Sequence, residues 1–278
     1  MAAKRHRGKF DPSNPNSYEL SRSRVENFLK CKACFWLEQI HNVKPPEIPS
    51  FTINTTTDIL LKRDADRVRG KSALPIWKKA GLDHMIPFDH EDLDKWTNSL
   101  NYGLNDSVFN TIHKETNIKF GGGIDDVFLN TQTDQIHLVD YKSQAQGTRS
   151  PDKYKVKPSS LNDPWKIGYK RQMDMYVWVA RQKGLNVSNT CYFVYVDAQH
   201  KNVEGMLDDK NPSIAWMKFN ASIIVYEADP SWVESTLIEI KDFLMNQSSI
   251  PNHTPKVDSF TGCDRGRYAN DIIEALKF

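Results

Sequence analysis

The spacing of apolar positions changes several times along the chain, and each change predicts an element. In "ELSRSRVENFLKCKACFWLEQI", residues 19 to 40, Val25, Phe28, Leu29 and Leu37 follow a helical period, and Ser21 is placed to be the N-cap. The proline-punctuated link "KPPEIPS" separates that helix from a second, "NTTTDILLKRDADRVR", and "HEDLDKWTNSL" predicts a third, shorter one. The period then falls to two. "NIKFGGGIDDVFLN" and "DQIHLVDYKS", joined by the turn-rich "TQTD", predict an antiparallel hairpin. "PWKIGYKRQMDMYVWVARQKG" is the strongest helical pattern, with Gly184 as its stop. "NTCYFVYVD" and "WMKFNASIIVYEA" predict strands, and "SWVESTLIEIKDFLMN" a late helix. Helices, hairpin, helix, strands and helix in that order predict a mixed α/β (α+β) domain with a helical lobe at its front. The expected layout is a flexible basic arm over 1–17 and a single domain over 18–278. Within that domain, 18–105 is mainly helical, 106–250 is the core and 251–278 is a C-terminal tail.

Composition narrows the class without choosing a partner. The 37 basic and 35 acidic residues give a net charge of +2, so only local clustering can argue for nucleic acid. No apolar run reaches the roughly 18–20 residues of a membrane span. The basic start lacks an apolar core and is not a secretory signal. Four cysteines do not suggest a disulfide scaffold, and a cytoplasmic protein with reduced thiols is expected.

The hairpin carries the candidate chemistry. Side chains alternate along a strand, so Ile136, Leu138, Asp140 and Lys142 share one face and His137, Val139 and Tyr141 the other. The "IHLV" run is apolar on both faces, which suits a buried strand, and a lone buried Asp140 is costly without a partner. Asp125 follows a glycine triplet that lets the backbone bend or approach another group closely. Asp125, Asp140 and the Tyr141 carbonyl together make a hard oxygen site suited to Mg²⁺ or Mn²⁺. Lys142 stands beside it to orient or deprotonate a water. An acidic residue two before a lysine recurs at Asp208 and Glu239, but neither has a partner aspartate on a neighbouring strand.

Gly123 to Asp125, then Val139-Asp140-Tyr141-Lys142, then Gln172 and Tyr176 on the following helix resemble the motifs of the PD-(D/E)XK nuclease superfamily. More narrowly they resemble its RecB-like branch, which includes the nucleases of CRISPR adaptation. The resemblance spans roughly residues 18–270 and is specific between 121 and 176. It implies a restriction-endonuclease-like mixed sheet flanked by helices and a metal-dependent DNA nuclease, exonuclease rather than endonuclease. Repair, recombination or CRISPR-type DNA processing would be its setting, and single-stranded DNA or duplex ends its partner, with no membrane. Asp125 and Asp140 would be metal ligands, Lys142 the water-activating lysine, and Gln172 and Tyr176 would orient the site. The branch adds a ligand from an early helix, for which Asp58 is the candidate, with Asp64 or Glu115 as alternatives. A nucleic-acid-binding or adaptor protein that keeps the fold without turnover is the competing reading.

Two features stand outside that core. Arg149, Lys153, Lys155 and Lys157 line the loop after Lys142, and Lys170 and Arg171 continue its basic character onto the helix, so all six are candidate phosphate contacts, with Trp165 and Lys166 nearby. Cys31 and Cys34 form a C-x-x-C and Cys263 lies near the end, while Gly266 stands where some relatives have a further cysteine. Cys191 falls inside a predicted strand. Three thiolates complete neither a four-cysteine cluster nor a Cys₄ zinc site, so no iron–sulphur cluster is expected.

Overall fold

The computed structural model describes residues 10–13, 18–44, 51–98, 108–145, 156–255 and 262–277. Five strands form one mixed sheet: β2 (Met85–Pro87), β5 (Asp126–Asn130), β6 (Gln135–Ala145), β7 (Thr190–Ala198) and β8 (Phe219–Glu227), in that spatial order. Only β6 and β7 run parallel, and the chain crosses between them through α6 (Ile167–Gln182). A second sheet of β1 (Glu19–Ser21), β4 (Ile118–Gly121) and β3 (Asn110–His113) stands beside it, with β1 parallel to β4. The mixed α/β class expected from the sequence is the one observed.

Helices cover both faces of the large sheet. On one face, α6, α1 (Arg22–Lys30), α2 (Lys32–His41) and α7 (Val233–Asn246) enclose the main core, to which β6 contributes Ile136 and Leu138 and β7 contributes Phe193 and Tyr195. On the other face, α3 (Thr52–Asp66) and α4 (Pro75–Lys79) cover Val139, Tyr141, Tyr192 and Val194, with Trp77 stacked on Phe128 at 4.4 Å. Both faces of β6 are therefore apolar, as its "IHLV" run required. The remaining helices are the short α5 (Leu93–Thr97) and the terminal α8 (Asp264–Ala275). No described helix is long and apolar enough to cross a membrane.

Several local readings need correction. The stretch from residue 19 to 40 is a short strand and two helices, because Cys31 takes an extended conformation (φ −160°, ψ 105°) that ends α1 and starts α2. Ser21 sits at the N-cap of α1 but its side chain makes no capping bond. Residues 117–130 are two strands in different sheets. The glycine triplet is the corner between them: a Cβ on Gly121 would lie 2.3 Å from the Phe109 carbonyl oxygen, so only glycine lets these backbones pass. The expected C-terminal tail also contains a helix, α8, that the sequence pattern does not predict.

Candidate metal-dependent active site

The site arises where β6 changes partners. It pairs with β5 over Gln135–Val139 and with β7 over Val139–Ala145, so the two ladders overlap only at Val139. Past that point β5 has turned away, and the Tyr141 N–H faces an open edge. The Asp125 carboxylate accepts that N–H at Oδ2 (2.9 Å), which fixes the aspartate beside Asp140. A residue's N–H and C=O leave a strand on the same side, so the Tyr141 carbonyl faces this edge too.

Asp140 is 2% exposed, and its two oxygens have different partners. Oδ1 accepts from Gln172 Nε2 at 2.7 Å, and Oδ2 carries the ion pair with the Lys142 ammonium. Burial pushes the Asp140 carboxyl up to about 7; Lys142 pulls it down and the Asp125 charge pushes it further up. Burial alone would lower the Lys142 pKa, but Asp140 and Asp125 outweigh it and the lysine is raised. Its ammonium also lies over the Tyr169 ring, 4.7 Å from the centroid.

Gln172 and Tyr176 share a face of α6, one turn apart. The Tyr176 hydroxyl donates to the Gly123 carbonyl (2.7 Å), and a Cβ on Gly122 would come within 2.8 Å of that hydroxyl. The helix thus holds both motif segments, Asp140 through Gln172 and the approach to Asp125 through Tyr176. Asp174, between them, points elsewhere: it accepts from Tyr226, Trp232 and the Asp229 N–H and ties α6 to the β8–α7 connection.

Asp58 of α3 reaches the same place. It lines a cavity of about 200 Å³ together with Asn54, Thr57, Tyr141, Lys142 and Tyr169. Its carboxyl is raised by burial first and by Asp125 second; Lys62 pairs with it at 2.9 Å. Asp64 instead pairs with Arg67 on the surface. Glu115 lies in the β3–β4 turn, separated from Gly121 by the length of β4.

The donor set fits a divalent cation. Asp58 Oδ1 is buried and accepts no hydrogen bond, and Asp140 Oδ2 is buried with only the lysine against it. Asp125 lies close enough to raise the carboxyls of both Asp58 and Asp140; such a group needs positive charge, and its oxygens suit a hard ion. The neighbouring Asp126 is not part of this set. It turns to the opposite face, where Arg69 meets both its oxygens (3.0 and 3.1 Å) and the Tyr141 hydroxyl and Val127 N–H complete its bonds.

The predicted nucleic-acid contacts divide. Arg149, Lys153 and Lys155 lie outside the described residues. Lys157 is exposed, Lys170 donates to Asn162 (2.8 Å), and Arg171 meets the buried Glu26 of α1 (3.2 Å). Sequence reasoning missed Glu26, Tyr169 and Arg22, whose guanidinium bears on the Tyr176 hydroxyl. Their signal, a charged or aromatic residue on an otherwise apolar helix face, is too common to select them.

A family model for the PD-(D/E)XK nuclease superfamily matches residues 19–248. Comparisons with curated proteins and with solved structures give no match. The matched span contains β1 through α7 and every group described above, and on that extent the chain belongs to the PD-(D/E)XK nuclease superfamily, a superfamily of metal-dependent nucleases.

Proposed function

We propose that this protein is a RecB-like deoxyribonuclease that hydrolyses phosphodiester bonds with Mg²⁺ or Mn²⁺. The observation that carries the reading is Asp140: one buried carboxylate touches both Lys142 and Gln172, with Asp125 fixed to the Tyr141 N–H between Asp140 and Lys142. A cation held by Asp58, Asp125, Asp140 and the Tyr141 carbonyl would supply positive charge against the scissile phosphate. Lys142, kept as an ammonium by its aspartates, orients the attacking water and offsets charge that develops on the phosphate oxygens. Gln172 holds Asp140 in one rotamer so that its second oxygen stays turned to Lys142. Tyr176 fixes the glycine corner that delivers Asp125. Water adds to phosphorus and gives up one proton, one ester P–O bond breaks, and the leaving oxygen takes up a proton, so that one water is consumed for each bond cut.

Lys157, Lys170 and Arg171, with Arg149, Lys153 and Lys155, are the proposed phosphate contacts for DNA. Resemblance to the RecB-like branch favours action from ends, hence an exonuclease, in repair, recombination or CRISPR-type processing. The test is incubation of the purified protein with labelled linear and circular DNA, single- and double-stranded, in Mg²⁺, Mn²⁺ or EDTA. Linear DNA should shorten with either metal and survive in EDTA. Intact DNA under every metal condition, with a folded protein, would refute the reading.

A further inference from the structure

The three cysteines at the chain ends do not stand alone. Cys31 lies at the elbow between α1 and α2, Cys34 lies one turn into α2, and Cys263 caps the start of α8. Between α7 and α8 the chain brings His253 to the same point. Its Nδ1 lies 3.4 Å from Cys31 Sγ, 3.7 Å from Cys34 Sγ and 3.7 Å from Cys263 Sγ, and Cys34 and Cys263 are 3.3 Å apart. All four ligand atoms lie within 4.8 Å of one another.

We infer that Cys31, Cys34, His253 and Cys263 form a mononuclear zinc site that clasps the C-terminal segment to the α1–α2 elbow. The spacing decides the metal count. A tetrahedral zinc with bonds of about 2.3 Å to sulphur and 2.0 Å to nitrogen has ligand–ligand edges of roughly 3.5–3.8 Å, close to those seen. A four-iron cluster places iron and sulphide between its thiolates and holds them much further apart. Three thiolates and one imidazole are also a structural zinc set, whereas iron–sulphur clusters of this kind take four thiolates.

The surroundings agree with a built site. The Gly266 N–H donates to Cys263 Sγ (3.2 Å), the bond expected of a thiolate at a helix start, and the Cys263 N–H donates to the Thr254 carbonyl (3.0 Å), which joins the two ligand segments. A Cβ on Gly266 would lie 2.2 Å from the His253 ring. The imidazole thus lies over the position where some relatives have a further cysteine, and glycine leaves room for it. Cys191 takes no part: it is buried in β7 within the main core.

The test needs neither substrate nor cleavage, so it stands or falls separately from the nuclease reading. Elemental analysis of the full chain should find one zinc per chain in a colourless protein. Exchange for Co²⁺ should give thiolate-to-cobalt charge-transfer bands and the strong visible bands of a tetrahedral ion. Cys34→Ser and His253→Ala should each lower zinc occupancy at least severalfold; if either fails to fold, metal content and the cobalt spectrum of the unaltered protein decide. Metal-free protein, a Cys34–Cys263 disulfide in peptide mapping, or a brown protein with about four irons per chain would each overturn the inference.

Discussion

Asp125 and Asp126 are consecutive, alike in side chain, and face opposite sides of the same sheet. Asp126 is met by a guanidinium on both oxygens, a tyrosine hydroxyl and a backbone N–H. Asp125 has the Tyr141 N–H, acts on the Lys142 ammonium, and faces Asp58 and Asp140, each of whose pKa it raises. The first arrangement satisfies a buried charge and fixes a fold; the second gathers charge that the protein alone does not neutralise. The partners, not the residue type or its burial, separate an aspartate tied into the fold from one left among other carboxylates.

Substitutions on the two sides should therefore fail in different ways. On the Asp125 side, Lys142→Ala should lower cleavage about 10²–10⁴-fold, with DNA affinity nearly unchanged. Wild-type turnover in that variant would remove Lys142 from the mechanism. Asp125→Asn and Asp140→Asn should lose cleavage similarly and also lose Mn²⁺ affinity by calorimetry. If both bind Mn²⁺ like the parent, the carboxylates are not its ligands.

On the Asp126 side the larger loss should be in folding. Asp126→Ala takes from Arg69 its buried partner, leaving it the exposed Asp66, and takes the acceptor from the Tyr141 hydroxyl; it should cost about 3–5 kcal/mol, lowering Tm by roughly 6–20 °C. Calorimetry that finds Asp125→Asn as damaging to Tm as Asp126→Ala would erase the distinction between the two aspartates.

A smaller effect is expected from pH. The raised Asp140 pKa means the proton is held more tightly than by an ordinary carboxyl, so near pH 7 it competes with the cation. Mn²⁺ affinity should fall as pH drops through about 7, by up to about tenfold per unit for one competing proton. In metal-free protein, Asp125→Asn should lower the Asp140 pKa seen by carbon-13 NMR, since a like charge is gone. An Asp140 titration unmoved by that change would place the two carboxylates further apart than described.

Smallest of all should be Gly122→Ala. Its methyl would press on the Tyr176 ring and hydroxyl, an overpacking worth about 1–3 kcal/mol, and cleavage should fall only severalfold. No change in either rate or Tm would show that Tyr176 does not need its bond to the Gly123 carbonyl.

The carboxylate centre was legible in the sequence because its main groups come from one compact stretch. Asp140 and Lys142 sit on β6, Asp125 directly before the adjacent β5, and Gln172 and Tyr176 on the helix that follows, and spacing predicts the faces shared within β6 and within the helix. Asp58 needed the family resemblance to be singled out, since nothing local to α3 distinguishes it from Asp64. The helix break at Cys31 was hidden by apolar residues that keep a helical period across it. The corner at Gly121 was hidden by a strand-like pattern on both sides. His253 could not be found by counting cysteines, since its partners lie at the other end of the chain and its spacing to Cys263 matches no short motif.

That separation has a consequence for how the protein is made. Cys34 and His253 lie 219 residues apart in sequence and meet in space. At a synthesis rate of about 5–20 residues per second, roughly 10–45 s pass between the making of one and the other. Through that interval Cys31 and Cys34 are thiols awaiting the rest of their set, open to oxidation and to competing metals. A ribosome-bound chain stopped before His253 would carry every residue of the carboxylate centre while its front elbow stayed unfastened.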